Sequence, residues 1–367
     1  ASYLSAGDGL SYVDFERQQS YLRTADFAQS PETREAFFAA LRQAGVHGLV
    51  LPVNDYGESI TDAIVRIAAY RHLCLEFSDA LFQTTRSDDI EQARRNGSTG
   101  LIFSLTGLPL FGAGEMTDPA ALLDWVEIWY GMGVRFLHLG YNRRSIFADG
   151  CGERNDGGLS ELGYDLIAKM NAVGMIVDVP HSSRRTLLEA VAVSSQPVIA
   201  SHIGCQAVFD GARCKSDEEI KAIASTGGYV GIYSIPSLLG DDGDLNLMLR
   251  HVAHALRVVG PEHVVISTDL GHKTEPPQPL PRVKGGWRRV AAAGRHKFKQ
   301  EGRTSLEHFG GSLAWTNKPL ITVGLVKMGL SDEAIAQMHF GNLKRVLDGA
   351  SRTLSKAAAN PSAPDAS

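Results

Sequence analysis

Several features that would each fix the class of a protein are scarce in this 367-residue chain. It has four cysteines, Cys74, Cys151, Cys205 and Cys214, too few for a disulfide scaffold, and no CxxC pair marks a structural zinc. The longest apolar runs, such as 174–179 and 197–200, fall far short of the ~20 residues a spanning helix needs. Neither sign of charge prevails. With 36 basic and 41 acidic residues the net charge is −5, which gives no electrostatic reason to bind nucleic acid or an anionic membrane. No GxGxxG follows the first strand pattern, which argues against a nucleotide-binding open sheet. What is present is core-forming material: 44% of residues are hydrophobic and 21% charged. A soluble catalytic or ligand-binding domain is the expectation. The sequence opens at Ala1, which suits removal of a leader. The expected location is therefore periplasmic or secreted, with the cytoplasm as the alternative.

Short apolar runs alternate with helical patterns along almost the whole chain. Strands are read at 45–53, 99–105, 134–139, 174–179, 197–201, 228–233 and 263–268, with one more near the N-terminus. Helices are read between them at 61–77, 119–131, 162–173, 184–193, 217–225 and 245–259, with Asp118 as a cap. The strands are apolar throughout rather than alternating, as parallel strands covered on both faces should be. Eight such units make an α/β fold, a (β/α)8 barrel of the TIM type, in a single domain over residues 1–350. Residues 273–304 interrupt the pattern with four prolines and then a basic stretch. They read as a long loop and helix insertion, either a solvated helix or a lid or partner-docking surface. The Ala/Ser/Pro-rich tail, 351–367, reads as disordered.

In such a barrel the chemistry sits at the C-terminal ends of the strands. Just past each strand stand Thr106, His138 or Tyr141, His181, His202, Tyr233 or Ile235, and Asp269. A single histidine there is commonly structural. Two at successive strand ends, each beside a short polar loop, point to a metal or an acid–base site. His138 lies within its strand and reads as core-facing, and His251 and His254 read as outward-facing on one helix. His272, three places past Asp269, either lines the pocket or starts the proline-rich loop.

These segments also carry a family resemblance. Gly174-Met175-Ile176-Val177-Asp178-Val179-Pro180-His181-Ser182, Pro197-Val198-Ile199-Ala200-Ser201-His202 and His263-Val264-Val265-Ile266-Ser267-Thr268-Asp269 resemble the membrane (renal) dipeptidase family, within the amidohydrolase-like barrels. The likeness extends over nearly the whole chain. It implies a barrel whose active members hold two zinc ions and hydrolyse dipeptides. It also implies that His181 and His202 stand at metal-ligand positions, that Asp269 is the catalytic aspartate, and that Arg213 holds the substrate carboxylate. A guanidinium fork suits that last task, since it donates two parallel hydrogen bonds.

The departures are selective. The first-strand HxD pair is missing: in one alignment Leu10 and Tyr12 take its place, in the other Tyr12 and Asp14. Thr106 stands where a bridging glutamate belongs, and a neutral hydroxyl cannot supply that charge. Tyr141 replaces the substrate-side histidine, and Ile235 the substrate tyrosine, with Tyr233 two residues back on the same face.

The expected metal site is therefore degenerate: at most one zinc on His181, His202 and Asp269, or none. The expected function is binding or processing of a small peptide-derived substrate, as in peptide natural-product or siderophore (pyoverdine-like) maturation. The residues expected to line the site are Arg213, Tyr141, Tyr233, Ile235 and Thr106. One alternative is a single-zinc dipeptidase or amidohydrolase, and another a non-catalytic partner that presents substrate to a second enzyme. A homodimer is compatible with the family, and Cys205 and Cys214, which flank the arginine segment, are candidates for a disulfide in an exported protein, a pairing that sequence spacing alone does not decide.

Overall fold

The computed structural model describes residues 31–111, 118–240, 243–269 and 311–359. Apolar runs become strands because both of their faces are covered: all seven residues of β3, Thr99–Leu105, are buried. β3 is joined by β1 (Gly48–Pro52), β4 (Val134–His138), β5 (Ile176–Asp178), β6 (Val198–Cys205), β8 (Val230–Ile232) and β9 (Val264–Ile266). They pair in the order β1-β3-β4-β5-β6-β8-β9, every pair parallel. Two short strands flank this path: β2 (Leu81–Gln83) on β3 and β7 (Cys214–Lys215) on β6.

The sheet is rolled. Ile102, Phe136, Ile176, Ile199 and Tyr229 form one buried inner cluster, and Val50 from one edge strand and Val265 from the other both pack against it. A flat sheet would hold its edges apart. This rolled parallel sheet with outer helices is the barrel-type α/β architecture that the apolar strands predict. The larger apolar cluster lies outside, where helices such as α2 (Ile60–Glu76), α5 (Glu161–Val173) and α9 (Leu245–Val259) cover the sheet.

Capping chemistry sets the helix starts. Ser59 and Asp62 form a capping box on α2, and Ser216 and Glu219 another on α7 (Asp217–Ser225). The last helix, α12 (Asn342–Ala359), closes the bottom of the roll with Val346, Leu347 and Ala350. Its first residue anchors it: Asn342 Nδ2 donates to the carbonyls of Pro261 (2.7 Å) and Val264 (2.8 Å) at the foot of β9.

The seven strands read beyond the N-terminus correspond one to one with these seven. Three details differ. β2 and the polar helix α3 (Ser87–Asn96) have no strong apolar period to betray them; α3 is held by Asp88 and Asp89 in its first turn and Arg94 and Arg95 in its last. α12 continues past Ser351 to Ala359, because its composition favours helix as much as disorder. His251 is fully buried rather than outward-facing: its Nδ1 accepts from the Cys205 amide (2.9 Å) and its Nε2 donates to the Leu239 carbonyl (2.9 Å). Cys205 and Cys214 are free thiols. The expected N-terminal strand, the 273–304 insertion and residues 360–367 lie outside the described residues.

Candidate functional site

Period-two alternation builds the site directly above the apolar floor of the roll. Two residues beyond Phe136 comes His138; beyond Ile176, Asp178; beyond Ile199, Ser201; beyond Val265, Ser267 and then Asp269. His138 and Asp178 are register partners on β4 and β5, and His138 Nε2 lies 3.0 Å from Asp178 Oδ2. The other oxygen of Asp178 accepts the Ser201 amide at 2.9 Å. That amide is available because β6 is irregular here: Ala200 pairs with Val230 but Ile203 with Ile232, so one extra residue is accommodated. The irregularity brings His202 in beside Ser201 on the inner side, a common use of bulges next to active sites. It also carries β6 to Cys205, so His202 lies inside the strand rather than after it.

Three imidazoles meet at this level. Ring centroids are 5.1 Å apart for His181 and His202, 5.5 Å for His138 and His181, and 5.6 Å for His138 and His202. The Nε2 atoms of His181 and His202 are 3.1 Å apart. His181 Nδ1 contacts Asn142 Oδ1 at 2.8 Å, and an amide oxygen only accepts, so that nitrogen carries the proton. With both rings neutral, His202 Nε2 then donates to His181 Nε2, and His202 Nδ1 accepts from Ser201 Oγ at 2.8 Å. The result is a directed chain from Ser201 through both histidines to Asn142.

The electrostatics agree with neutral rings. Burial holds His181 well below the ordinary histidine value, assisted by the positive charge of Arg213. Burial does the same for His202. Asp269 Oδ2 lies 3.7 Å from His202 Nε2, and burial raises its carboxyl above the usual range. Asp269 is the one non-glycine residue with positive φ (49°) among the described residues, a strained turn at the strand end that costs ~1 kcal/mol or more.

Arg213 sits beside this group, buried to 3% exposure. Burial opposes its proton, but Cys151, Asp269, Tyr141 and Tyr233 outweigh it, and it stays charged. Its Nε and Nη2 are buried with no hydrogen-bond partner among the described residues. Tyr141 stacks on His181 at 3.9 Å, and Tyr56 stacks on Tyr141 at 5.9 Å. The long loop after β4 that carries Tyr141 and Asn142 folds tightly back: a Cβ on Gly150 would lie 2.1 Å from the Tyr141 carbonyl oxygen.

The structure brings His181, His202, Asp269, Arg213 and Tyr141 together. Thr106 does not join them by hydrogen bond; its amide donates to Asn54 Oδ1 at 2.8 Å at the end of β3. Tyr233 is fully buried with its hydroxyl donating to the Leu238 carbonyl at 2.8 Å, and Ile235 precedes the short helix α8 (Pro236–Leu239). His138, read as core-facing, belongs to the site, and its position two residues above Phe136 carried that signal. Asn142, Tyr56 and Cys151 had no such signal, because a long loop delivers two of them and the loop after β1 the third.

Among the described residues no group of three or more His, Cys, Asp or Glu side chains is arranged to hold a metal ion. His181 and His202 offer two donors where a catalytic zinc usually has three protein ligands. The described residues by themselves therefore supply too few donors for a zinc site.

Residues 13–293 match the family model described as membrane dipeptidase (peptidase family M19), a family that is typically zinc-dependent. An uncharacterized dipeptidase of Schizosaccharomyces pombe is 28% identical over 233 residues, 61% of this chain and 54% of that protein. The chain spans about half the length of several curated relatives it matches. Among solved structures, an amidohydrolase from Pseudomonas aeruginosa superposes with a TM-score of 0.69 at 25% identity, covering 86% of this chain and 92% of that one. The probable dipeptidase PvdM from Pseudomonas aeruginosa gives 0.68 at 18% identity, covering 86% and 88%.

Proposed function

Since the chain belongs to the membrane dipeptidase family, M19, we propose that it binds and processes a small peptide-derived substrate whose carboxylate is held by Arg213. The observation that carries this reading is the buried guanidinium, whose Nε and Nη2 have no hydrogen-bond partner among the described residues. Leaving such a group unpaired costs roughly 1–3 kcal/mol or more. A carboxylate arriving from outside satisfies two donors at once.

With the carboxylate on Arg213, the rest of the ligand lies against Tyr141, the His181–His202 pair and Asp269. The neutral imidazole chain gives the site a group that can donate and one that can accept a proton. Asp269, whose carboxyl burial raises above the usual range, is placed to exchange a proton with a peptide nitrogen. The finer parts of the proposal are that the peptide is a biosynthetic intermediate, as in siderophore maturation of the pyoverdine kind, and that the work is periplasmic. The first of these draws on Thr106, which stands where the family resemblance expects a bridging carboxylate, while Arg213 is kept.

Calorimetric titration of the full chain with Ala-Ala and with its C-terminal amide tests the core of the reading. The free carboxylate is expected to bind and the amide to bind about a hundredfold more weakly, the equivalent of ~3 kcal/mol. Arg213→Ala is expected to abolish the difference. Equal binding of acid and amide by the wild type would remove the case for Arg213 as the carboxylate anchor.

A further inference from the structure

The loops that follow β1, β3, β4 and β5 meet on one stack of rings. Tyr141, after β4, lies over His181, after β5, with centroids 3.9 Å apart and planes inclined by 29°. Tyr56, after β1, lies over Tyr141 at 5.9 Å and 23°. The loop after β3 contributes Gly107, whose φ of 95° suits glycine; a Cβ there would lie 3.1 Å from Tyr56 Cδ2. Both ends of the stack are anchored by hydrogen bonds that do not involve Tyr141. On the outer side Asn54 ties the loops after β1 and β3 together: its Nδ2 donates to the Gly107 carbonyl at 3.0 Å, and its Oδ1 accepts from the Thr106 amide at 2.8 Å. Farther along, the Ile60 amide donates to the Leu110 carbonyl at 3.0 Å and the Leu110 amide to the Glu58 carbonyl at 3.1 Å. On the inner side His181 Nδ1 donates to Asn142 Oδ1 at 2.8 Å. Tyr56 itself is 37% exposed, so it adds less to the core than a buried ring does; what it covers is the outer face of Tyr141.

We infer that Tyr56 is a positioning residue of the substrate site: its ring holds Tyr141 flat on His181, so that a ligand meets a wall already in place. The inference rests on the reading of Tyr141 as part of the substrate site for its effect on ligands, but not for the arrangement of the rings. A stacked pair of aromatic rings contributes more than the area it buries. Tyr141 is carried by a long loop, and with its outer face uncovered it regains rotamer freedom. Ordering it again on binding then weakens the ligand's hold, which a ring fixed beforehand avoids. The Tyr56 hydroxyl also reaches this loop, at the Arg144 carbonyl, but at 3.5 Å, the outer limit of a hydrogen bond. The ring is therefore the part that acts, and phenylalanine should serve in its place.

The test uses the full chain with carbon-13-labelled histidine and the variants Tyr56→Leu, Tyr56→Phe and Tyr141→Leu. The ring protons of His181 lie over the face of Tyr141 and are shielded by its ring current. In Tyr56→Leu these signals are expected to move towards the positions they take in Tyr141→Leu, and in Tyr56→Phe to stay where the wild type has them. A residue that only stabilised the fold would lower the urea midpoint and leave the His181 signals of the folded protein unmoved. Calorimetric titration with Ala-Ala reads the effect on a ligand. Tyr56→Leu is expected to weaken binding about fivefold, and Tyr56→Phe to restore it. In the Tyr141→Leu background Tyr56→Leu is expected to add nothing, because a residue that acts through another has no effect once that one is gone. His181 signals unmoved in Tyr56→Leu, or an equal loss of affinity with and without Tyr141, would overturn the inference. Absence of Ala-Ala binding by the wild type counts against the carboxylate reading alone, while the His181 signals still decide whether Tyr56 positions the ring.

Discussion

His138 and Asp178 stand side by side in register on neighbouring parallel strands, and their side chains meet at 3.0 Å beneath the His181–His202 pair. Asp178 also takes the amide that the irregularity in β6 sets free at Ser201. One carboxylate thus fixes the ring of His138 and the local path of the strand that carries His202. His138 Nδ1 is buried and has no partner among the described residues, so the ring can move its proton there if Asp178 stops accepting. Asp178→Ala strands two buried donors and is expected to cost ~2–4 kcal/mol in urea unfolding, whereas Asp178→Asn, which keeps one acceptor, is expected to cost ~1 kcal/mol. Nitrogen-15 spectra of the Asn variant should show His138 protonated on Nδ1. Equal destabilisation by the two variants would mean that Asp178 does not act through its hydrogen bonds.

A site that stores a guanidinium with no partner among the described residues gives up stability for binding. Arg213→Met replaces that group by an apolar side chain of similar length among buried neighbours. It is expected to raise the stability of the ligand-free protein by ~1–3 kcal/mol while abolishing binding of carboxylate ligands. Thermal unfolding and calorimetric titration of the same preparation check both halves. A variant that is less stable and also fails to bind would assign Arg213 a structural role.

Thr106 follows β3 directly, two residues beyond Ser104, at the position where the family resemblance expects a bridging carboxylate. If two imidazoles without that carboxylate hold zinc weakly, the purified chain should lose its zinc on dialysis against a mild chelator. Thr106→Glu should then retain more, since it restores negative charge and an oxygen ligand at the strand end where the resemblance expects them. Mass-spectrometric metal content per chain measures this. A full equivalent of zinc surviving chelation in the wild type would show that residues beyond those described complete a working metal site.

How much of this was legible in the sequence follows from what each feature depends on. Strands covered on both faces announce themselves as unbroken apolar runs, so the architecture was readable from 99–105 or 174–179. His181 follows its strand directly and was readable by position. His202 was found by the same rule although it lies within β6, because the residue count to the strand end is insensitive to a bulge. The bulge itself, which decides that His202 rather than Ile203 faces inward, leaves no mark in composition. His138 was assigned to the core because a buried position on a strand does not say which core; its two-residue spacing from Phe136 distinguishes the inner face from the outer. His251 was misplaced for a different reason. Its partners, the Cys205 amide and the Leu239 carbonyl, are backbone groups, and backbone demand for hydrogen bonds cannot be read from side-chain types.

Acid sensitivity should come partly from outside the site. His339 lies at the base of the roll, where its Nε2 contacts Thr322 Oγ1 at 3.0 Å. Burial, and then the nearby Lys318 ammonium, lower it from the ordinary 6.5 to about 4. The folded state thus binds this proton less readily than the unfolded chain does. Its contribution to stability is complete above pH 6.5 and is lost progressively as the pH falls towards 4, by roughly 3 kcal/mol at most. His339→Gln keeps an amide in reach of Thr322 and cannot take up a proton in this range. The variant should therefore be less stable than the wild type at pH 8 by at most ~1 kcal/mol and lose less stability between pH 6.5 and pH 4. Urea midpoints measured across that interval test the sign as well as the size. Parallel acid limbs for variant and wild type would place the titrating group elsewhere in the protein.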